Sequence, residues 1–167
     1  QLTACEPRSN GGIKIPVAIA DVDTLVHKGT PIDEHARVNT TSVYTSARIF
    51  PMLPERLSTN LTSLNAGENR LALVTEMDFN ADATLAGSTV YRASVRNRAK
   101  LAYDAVSAWI DGEGALPAAA AAVPGMDAQL HAQDALAQQL RVRRHTEGSL
   151  ELETLEETRA ESLEKND

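Results

Sequence analysis

Asp21 and Asp23 stand one residue apart at the end of an apolar, β-rich run. Two carboxylates at that spacing on an extended chain share a face and can close on one divalent cation. The same residue types cap turns and hydrogen-bond loops, so ligation and loop capping both stand as readings. Little else is arranged for catalysis. His27, His35, His131 and His145 are scattered, and none sits in a His-Glu-x-x-His metal site. There is no glycine-rich phosphate loop and no serine elbow. Cys5 is the single cysteine, which excludes an internal disulfide and a cysteine-based zinc site and fits a reducing cytoplasm. Cys5 reads as an inert thiol.

The elements that must position these groups announce themselves by turn signals and periodicity. Asn10-Gly11-Gly12 leads into a strand over 13–20 that is apolar on both faces, with Pro16 disturbing its first half. Thr30 caps a short helix that Pro31 opens and that Asp33 and Glu34 favour electrostatically. Pro51 and Pro54 bracket a rigid turn, followed by a helical turn over 55–61. Residues 70–79 and 88–95 form an antiparallel pair across a turn, with Leu71, Leu73, Thr75 and Met77 on one face. Val106, Trp109 and Ile110 line one side of a helix over 103–111, which Gly112 and Gly114 end. An alanine-rich stretch between prolines makes 112–125 a surface connection. Residues 127–144 form the longest helix, with Arg141, Arg143 and Arg144 at its negative end. The expected fold class is mixed α+β, with mainly antiparallel strands and helices packed on them.

With 167 residues and 43% hydrophobic content, a single core is attainable; aromatics are 4%, so each one is informative. No apolar run reaches membrane-spanning length, so no membrane partner is expected. The net charge of −7 is uneven: residues 147–167 hold eight acids and two bases, a balance of −6, which leaves −1 for the rest. An acidic total therefore does not argue against a nucleic-acid partner for residues 1–146.

Several blocks occur in order: Ile19-Ala20-Asp21-Val22, Thr41-Ser42-Val43-Tyr44, Pro51-Met52-Leu53-Pro54-Glu55-Arg56-Leu57-Ser58, Thr62-Ser63-Leu64-Asn65, Asn69-Arg70-Leu71-Ala72-Leu73 and Ala99-Lys100-Leu101-Ala102-Tyr103. This order and spacing resembles the RNB catalytic domain of the ribonuclease II and ribonuclease R exoribonucleases. The Pro-Met-Leu-Pro block followed by Leu-Ser and Ser-Leu-Asn is highly specific. The resemblance is strong over 17–111 and extends to Leu152 through Gly148-Ser149-Leu150-Glu151-Leu152.

That resemblance implies hydrolytic, processive removal of nucleotides from the 3′ end of single-stranded RNA. It implies Mg²⁺ held by an acidic cluster of the form Asp-x5-Asp-x-Asp-Asp. The last of those aspartates falls on Gln1, and the others would precede the chain. The family's Thr-Ser-Pro-Ile-Arg block is also missing. The expectation is therefore an internal piece, inactive by itself, of a domain whose remainder and flanking OB-type domains are its partners. The alternative is a catalytically inactive RNB-like protein that binds RNA or a partner, which Gln1 favours. By the same resemblance, Tyr44 stacks on an RNA base. Tyr103 contacts the terminal nucleotides and senses ribose. Leu152 replaces a second stacking aromatic. Arg48 and Arg70 are basic candidates for phosphate contact, each equally readable as a structural ion-pair partner.

Overall fold

A run of residues apolar on both faces and a glycine turn before it produce the strand that anchors the sheet. A computed structural model describes residues 1–45 and 47–149. In it, strands β1 (Leu2–Thr3) and β2 (Glu6–Pro7) both pair antiparallel with one side of β3 (Ile13–Ala20). The break between them lies opposite Ile15 and Pro16. Proline has no N–H to offer a neighbour, and the contact there reduces to Ala4 N–H donating to the Pro16 carbonyl at 3.2 Å. Pro16 is thus accommodated inside the strand, at the place where its outer partner is interrupted.

Helix α1 (Pro31–Asn39) follows, capped by the Thr30 hydroxyl, which accepts from Asp33 N–H at 3.4 Å. The short ribbon of β4 (Val43–Tyr44) and β5 (Ile49–Phe50) comes next. A π-helical turn (Leu57–Leu61) then leads to the long hairpin of β6 (Asn69–Phe79) and β7 (Leu85–Arg96). β6 pairs with β3 along its length, and β7 forms the sheet edge. The chain closes with α2 (Tyr103–Ile110), α3 (Ala118–Ala121) and α4 (Met126–Thr146). The architecture is α+β with antiparallel sheets.

Three apolar clusters hold it together. α4 lays Ala132, Leu136 and Leu140, four residues apart, over Ile15, Phe79 and Cys5. Truncating buried Leu136 to alanine would cost about 2–5 kcal/mol. On the other sheet face Ala18, Ala72 and Val74 pack with Leu2, Leu64 and Val95. The third cluster joins Val26, Leu53 and Leu57, with Ala36 of α1 against them. Leu53 and Leu57 lie in and just after the Pro-Met-Leu-Pro block, so that motif is first of all an anchor for the neighbouring ribbon.

Leu71, Leu73, Thr75 and Met77 share one face of β6 as expected; the opposite face carries buried Ala72 and Val74, whereas Leu71 is 54% and Leu73 36% exposed. α4 covers the Leu71 face only toward Met77 and Phe79, and the small Ala72 admits close packing on the opposite face. Within 112–125, Ala118–Ala121 forms a helical turn with Ala120 1% exposed, so this part of the connection is packed. Strand β7 also begins earlier than expected, at Leu85, after a turn closed by Asn80 and Thr84.

Candidate nucleic-acid interface

The extended segment after β7 alternates. Asn97, Ala99 and Leu101 are half-buried, while Arg98 and Lys100 are exposed. Asn97 fixes the inner side. Its side-chain amide donates to the Leu64 carbonyl at 2.9 Å, and its Oδ1 accepts from Ala99 N–H at 3.1 Å. Its backbone carbonyl accepts from Gly67 N–H at 2.8 Å. The segment leads into α2, whose first residue is Tyr103.

These residues form one wall of an open groove of about 610 Å³. Gln1 to Ala4, the end of β3 at Ile19 and Ala20, the Thr62–Asn65 stretch and the first turns of α4 form the rest. Gln1 and Tyr103, far apart in sequence, therefore share one groove. Tyr103 is 84% exposed. The lining has two cations, Arg98 and Lys100, and no carboxylate, histidine or cysteine. Among the described residues neither cation has an ion-pair or hydrogen-bond partner.

The other sequence candidates lie elsewhere. Tyr44 is 74% exposed on the β4–β5 ribbon, opposite Ile49. Arg48 is on the same ribbon, with its guanidinium 5.2 Å from the Phe50 ring centroid. Phe50 pairs with Val43, so by strand alternation Arg48 reaches the face opposite Tyr44. Arg70 pairs with Glu68 and donates to Asn60 Oδ1 at 3.1 Å, which makes it a structural partner in this arrangement. Leu152 and the acidic segment from 150 onward lie outside the described residues.

Asp21 and Asp23 face one guanidinium. Arg92 Nη2 donates to Asp23 Oδ2 at 2.8 Å. Arg92 Nε sits 2.8 Å from Asp21 Oδ2, a close charge pair that lacks hydrogen-bond alignment. Asp21 is 8% exposed; its backbone N–H donates to Leu71 and its carbonyl accepts from the Thr24 hydroxyl. Among the described residues no three metal-ligating side chains come together. Cys5 is buried beside Gln129, and burial first, then the charge of Glu6, pushes its thiol pKa up, which keeps it protonated and unreactive.

Arg98, Lys100 and Asn97 went unnoticed as site residues in the sequence. Their signal was the alternation Arg96-x-Arg98-x-Lys100 just before the Ala-x-Leu-Ala-Tyr block.

The sheet, buttressed by α4, thus carries a groove lined by two cations and no acid. The RNB domain model matches residues 1–167, and the chain belongs to that family. It is 41% identical to Ribonuclease R of Escherichia coli over 109 residues, 65% of this chain and 13% of that protein. It is 37% identical to Ribonuclease R of Vibrio cholerae over 91% of this chain and 18% of that protein. Among solved structures, RNase R of Mycoplasma genitalium, in complex with ribose-methylated single-stranded RNA, superposes with a TM-score of 0.83 at 27% identity. That match covers 91% of this chain and 23% of the other. The chain spans less than a fifth of the length of these two curated relatives.

Proposed function

We propose that this chain forms part of the RNA channel of a hydrolytic 3′-to-5′ exoribonuclease acting on single-stranded RNA. The observation that carries the reading is the groove that joins exposed Tyr103 to two cations, unpaired among the described residues, in a chain of the RNB family. An exposed tyrosine hydroxyl can bond the sugar or phosphate of the terminal nucleotides, and cations beside it meet the backbone. Tyr44, also exposed, is the stacking platform of the reading; Leu152 stands in place of a second aromatic and offers apolar contact without stacking, and Arg48 is an auxiliary contact.

The chemistry of such an enzyme calls for Mg²⁺. The groove lining does not fit that ion, because Gln1 offers an amide and no carboxylate stands beside it. Asp21 and Asp23 are engaged by Arg92. We infer that metal ligands come from other residues of the protein, and that residues 1–167 alone do not cut RNA. We further infer a cytoplasmic protein, with the remainder of its RNB domain and flanking OB-type domains as partners of this part. No helix among the described residues is long and apolar enough to cross a membrane.

The second reading, an RNB-like protein that binds RNA without cutting it, draws on the same amide at Gln1. The test is the full-length protein incubated with Mg²⁺ and a 5′-labelled single-stranded RNA. The exoribonuclease reading expects a ladder that shortens from the 3′ end and stops on EDTA addition. Binding without any ladder would favour the second reading, and neither binding nor cleavage would sink both.

A further inference from the structure

We propose that Arg98 and Lys100 form a two-cation rail that grips successive phosphates of the RNA strand as it approaches Tyr103. The proposal rests on the RNA-channel reading above and names the residues that give it charge. In an extended segment alternate side chains share a face and recur about every 6.6 Å. That interval is on the scale of neighbouring phosphates in an extended single strand. Burial alternates in the same rhythm: Asn97, Ala99 and Leu101 turn inward, and Arg98 and Lys100 outward.

Two further observations separate this rail from an ordinary solvated charge pair. First, its backbone is fixed. Asn97 ties the segment to Leu64 and Gly67, and an isolated bridge joins it to Ala66, so the cations follow directly on an anchored residue. Second, its charge is uncompensated. The groove lining contains no acid, and among the described residues neither cation is paired. Four other basic side chains are neutralised by acids: Arg8 by Asp78, Lys14 by Glu76, Arg70 by Glu68 and Arg92 by Asp21 and Asp23. Lys28, Arg56, Arg96 and Arg144 also lack a side-chain partner among the described residues, so what singles out Arg98 and Lys100 is their place in an acid-free groove beside an exposed tyrosine, where a polyanion can be received. The rail also reassigns the phosphate contacts, since Arg70 is occupied structurally.

The experiment is a salt titration of binding by the full-length protein without Mg²⁺, using a fluorescein-labelled oligouridylate of about twelve nucleotides, a length that spans a typical single-strand site. Removing one cation from the phosphate backbone should flatten the slope of log K against log salt by about 0.7. Arg98→Gln and Lys100→Gln should each flatten it by about that much, and the double variant by about 1.4. Arg144→Gln is the control, because Arg144 lies about 16 Å along α4 beyond the groove residue Gln133. Its slope should match the parent's. Melting temperatures report whether each variant is folded. If the double variant is folded and keeps the parental slope and affinity, the rail is wrong while the channel reading stands. A parent that binds no oligouridylate overturns both.

Discussion

Asn97 holds Leu64 by its side chain and Gly67 by its backbone, at 2.9 and 2.8 Å, so one residue sets the distance between the 62–65 stretch and the basic segment. Asn97→Ala removes the hydrogen bond to Leu64 and the acceptor for Ala99 N–H together. Leaving part-buried backbone groups unpaired should lower stability by about 1–3 kcal/mol. Chemical denaturation of parent and variant measures this, and an unchanged midpoint would show that water replaces both bonds at no cost.

Gly12 is required by close approach. A Cβ built there would lie 2.3 Å from the Phe79 carbonyl oxygen, a backbone atom of β6 that cannot swing aside. Gly12→Ala should cost about 1–3 kcal/mol through displaced strands. Gly87→Ala is the comparison, because nothing lies within 4 Å of its Cβ position. It should be neutral or slightly stabilising through the unfolded state. Equal urea midpoints for the two variants would contradict the packing described for β3 and β6.

Glu76 sits among Lys14 and the Tyr91 hydroxyl, and these hydrogen bonds hold its carboxyl below the ordinary 4.5. A carboxylate depressed in the folded state contributes stability above its unfolded pKa and loses it as pH falls through the folded one. Stability should therefore decline below about pH 4.5, and Glu76→Gln should flatten that decline. Lys14 is raised above 10.5 by the same hydrogen bond, so its share fades as pH climbs past that value. Melting curves of parent and Glu76→Gln between about pH 3 and 7 test the acid side. Parallel curves would exclude Glu76 as a contributor.

Arg92 answers two acids of unequal exposure: the Asp21 side chain is 6% exposed and that of Asp23 71%. Removing the guanidinium strands a buried charge, whereas removing Asp23 strands none. Arg92→Met should therefore destabilise by more than about 1 kcal/mol, and Asp23→Asn by less than that. A divalent cation on the pair would give another pattern: Mg²⁺ would raise the parent's melting temperature, and Asp23→Asn would abolish the rise. Thermal melts with and without Mg²⁺ separate the two.

Much of this arrangement was legible in the sequence because local chemistry dictated it. Thr30-Pro31 started a helix, Asn10-Gly11-Gly12 opened a strand, and the paired runs around residue 80 made a hairpin. How deeply each part of β6 is buried was not legible, because apolar residues stand on both of its faces. Which face is covered depends on where α4 ends, a long-range fact. Asp21 and Asp23 kept two readings for the same reason, since Arg92 meets them from a strand about 70 residues away. The groove was half legible: Tyr103 came through family resemblance, but the pairing of Gln1 with Arg98 and Lys100 exists only after β3, β6 and α4 assemble.

Tyr44 supplies the last prediction. Its ring is 74% exposed on a two-stranded ribbon, and its backbone, not its hydroxyl, holds the pair with Ile49. A tyrosine kept for packing would be covered; one kept for a base need only be flat and reachable. Tyr44→Ala in the full-length protein should weaken the hold on the terminal nucleotides by about 1–3 kcal/mol. The visible result is a longer limit oligonucleotide when digestion stops. Tyr44→Phe keeps the ring and should leave the limit product as it was, while Tyr44→Leu, apolar but not aromatic, should behave like the alanine variant. Gel analysis of end products, with a melting curve for each variant, reads all three. If alanine and phenylalanine variants give the parental product length and affinity, Tyr44 stacks on nothing. If both lengthen the product equally, the hydroxyl rather than the ring makes the contact.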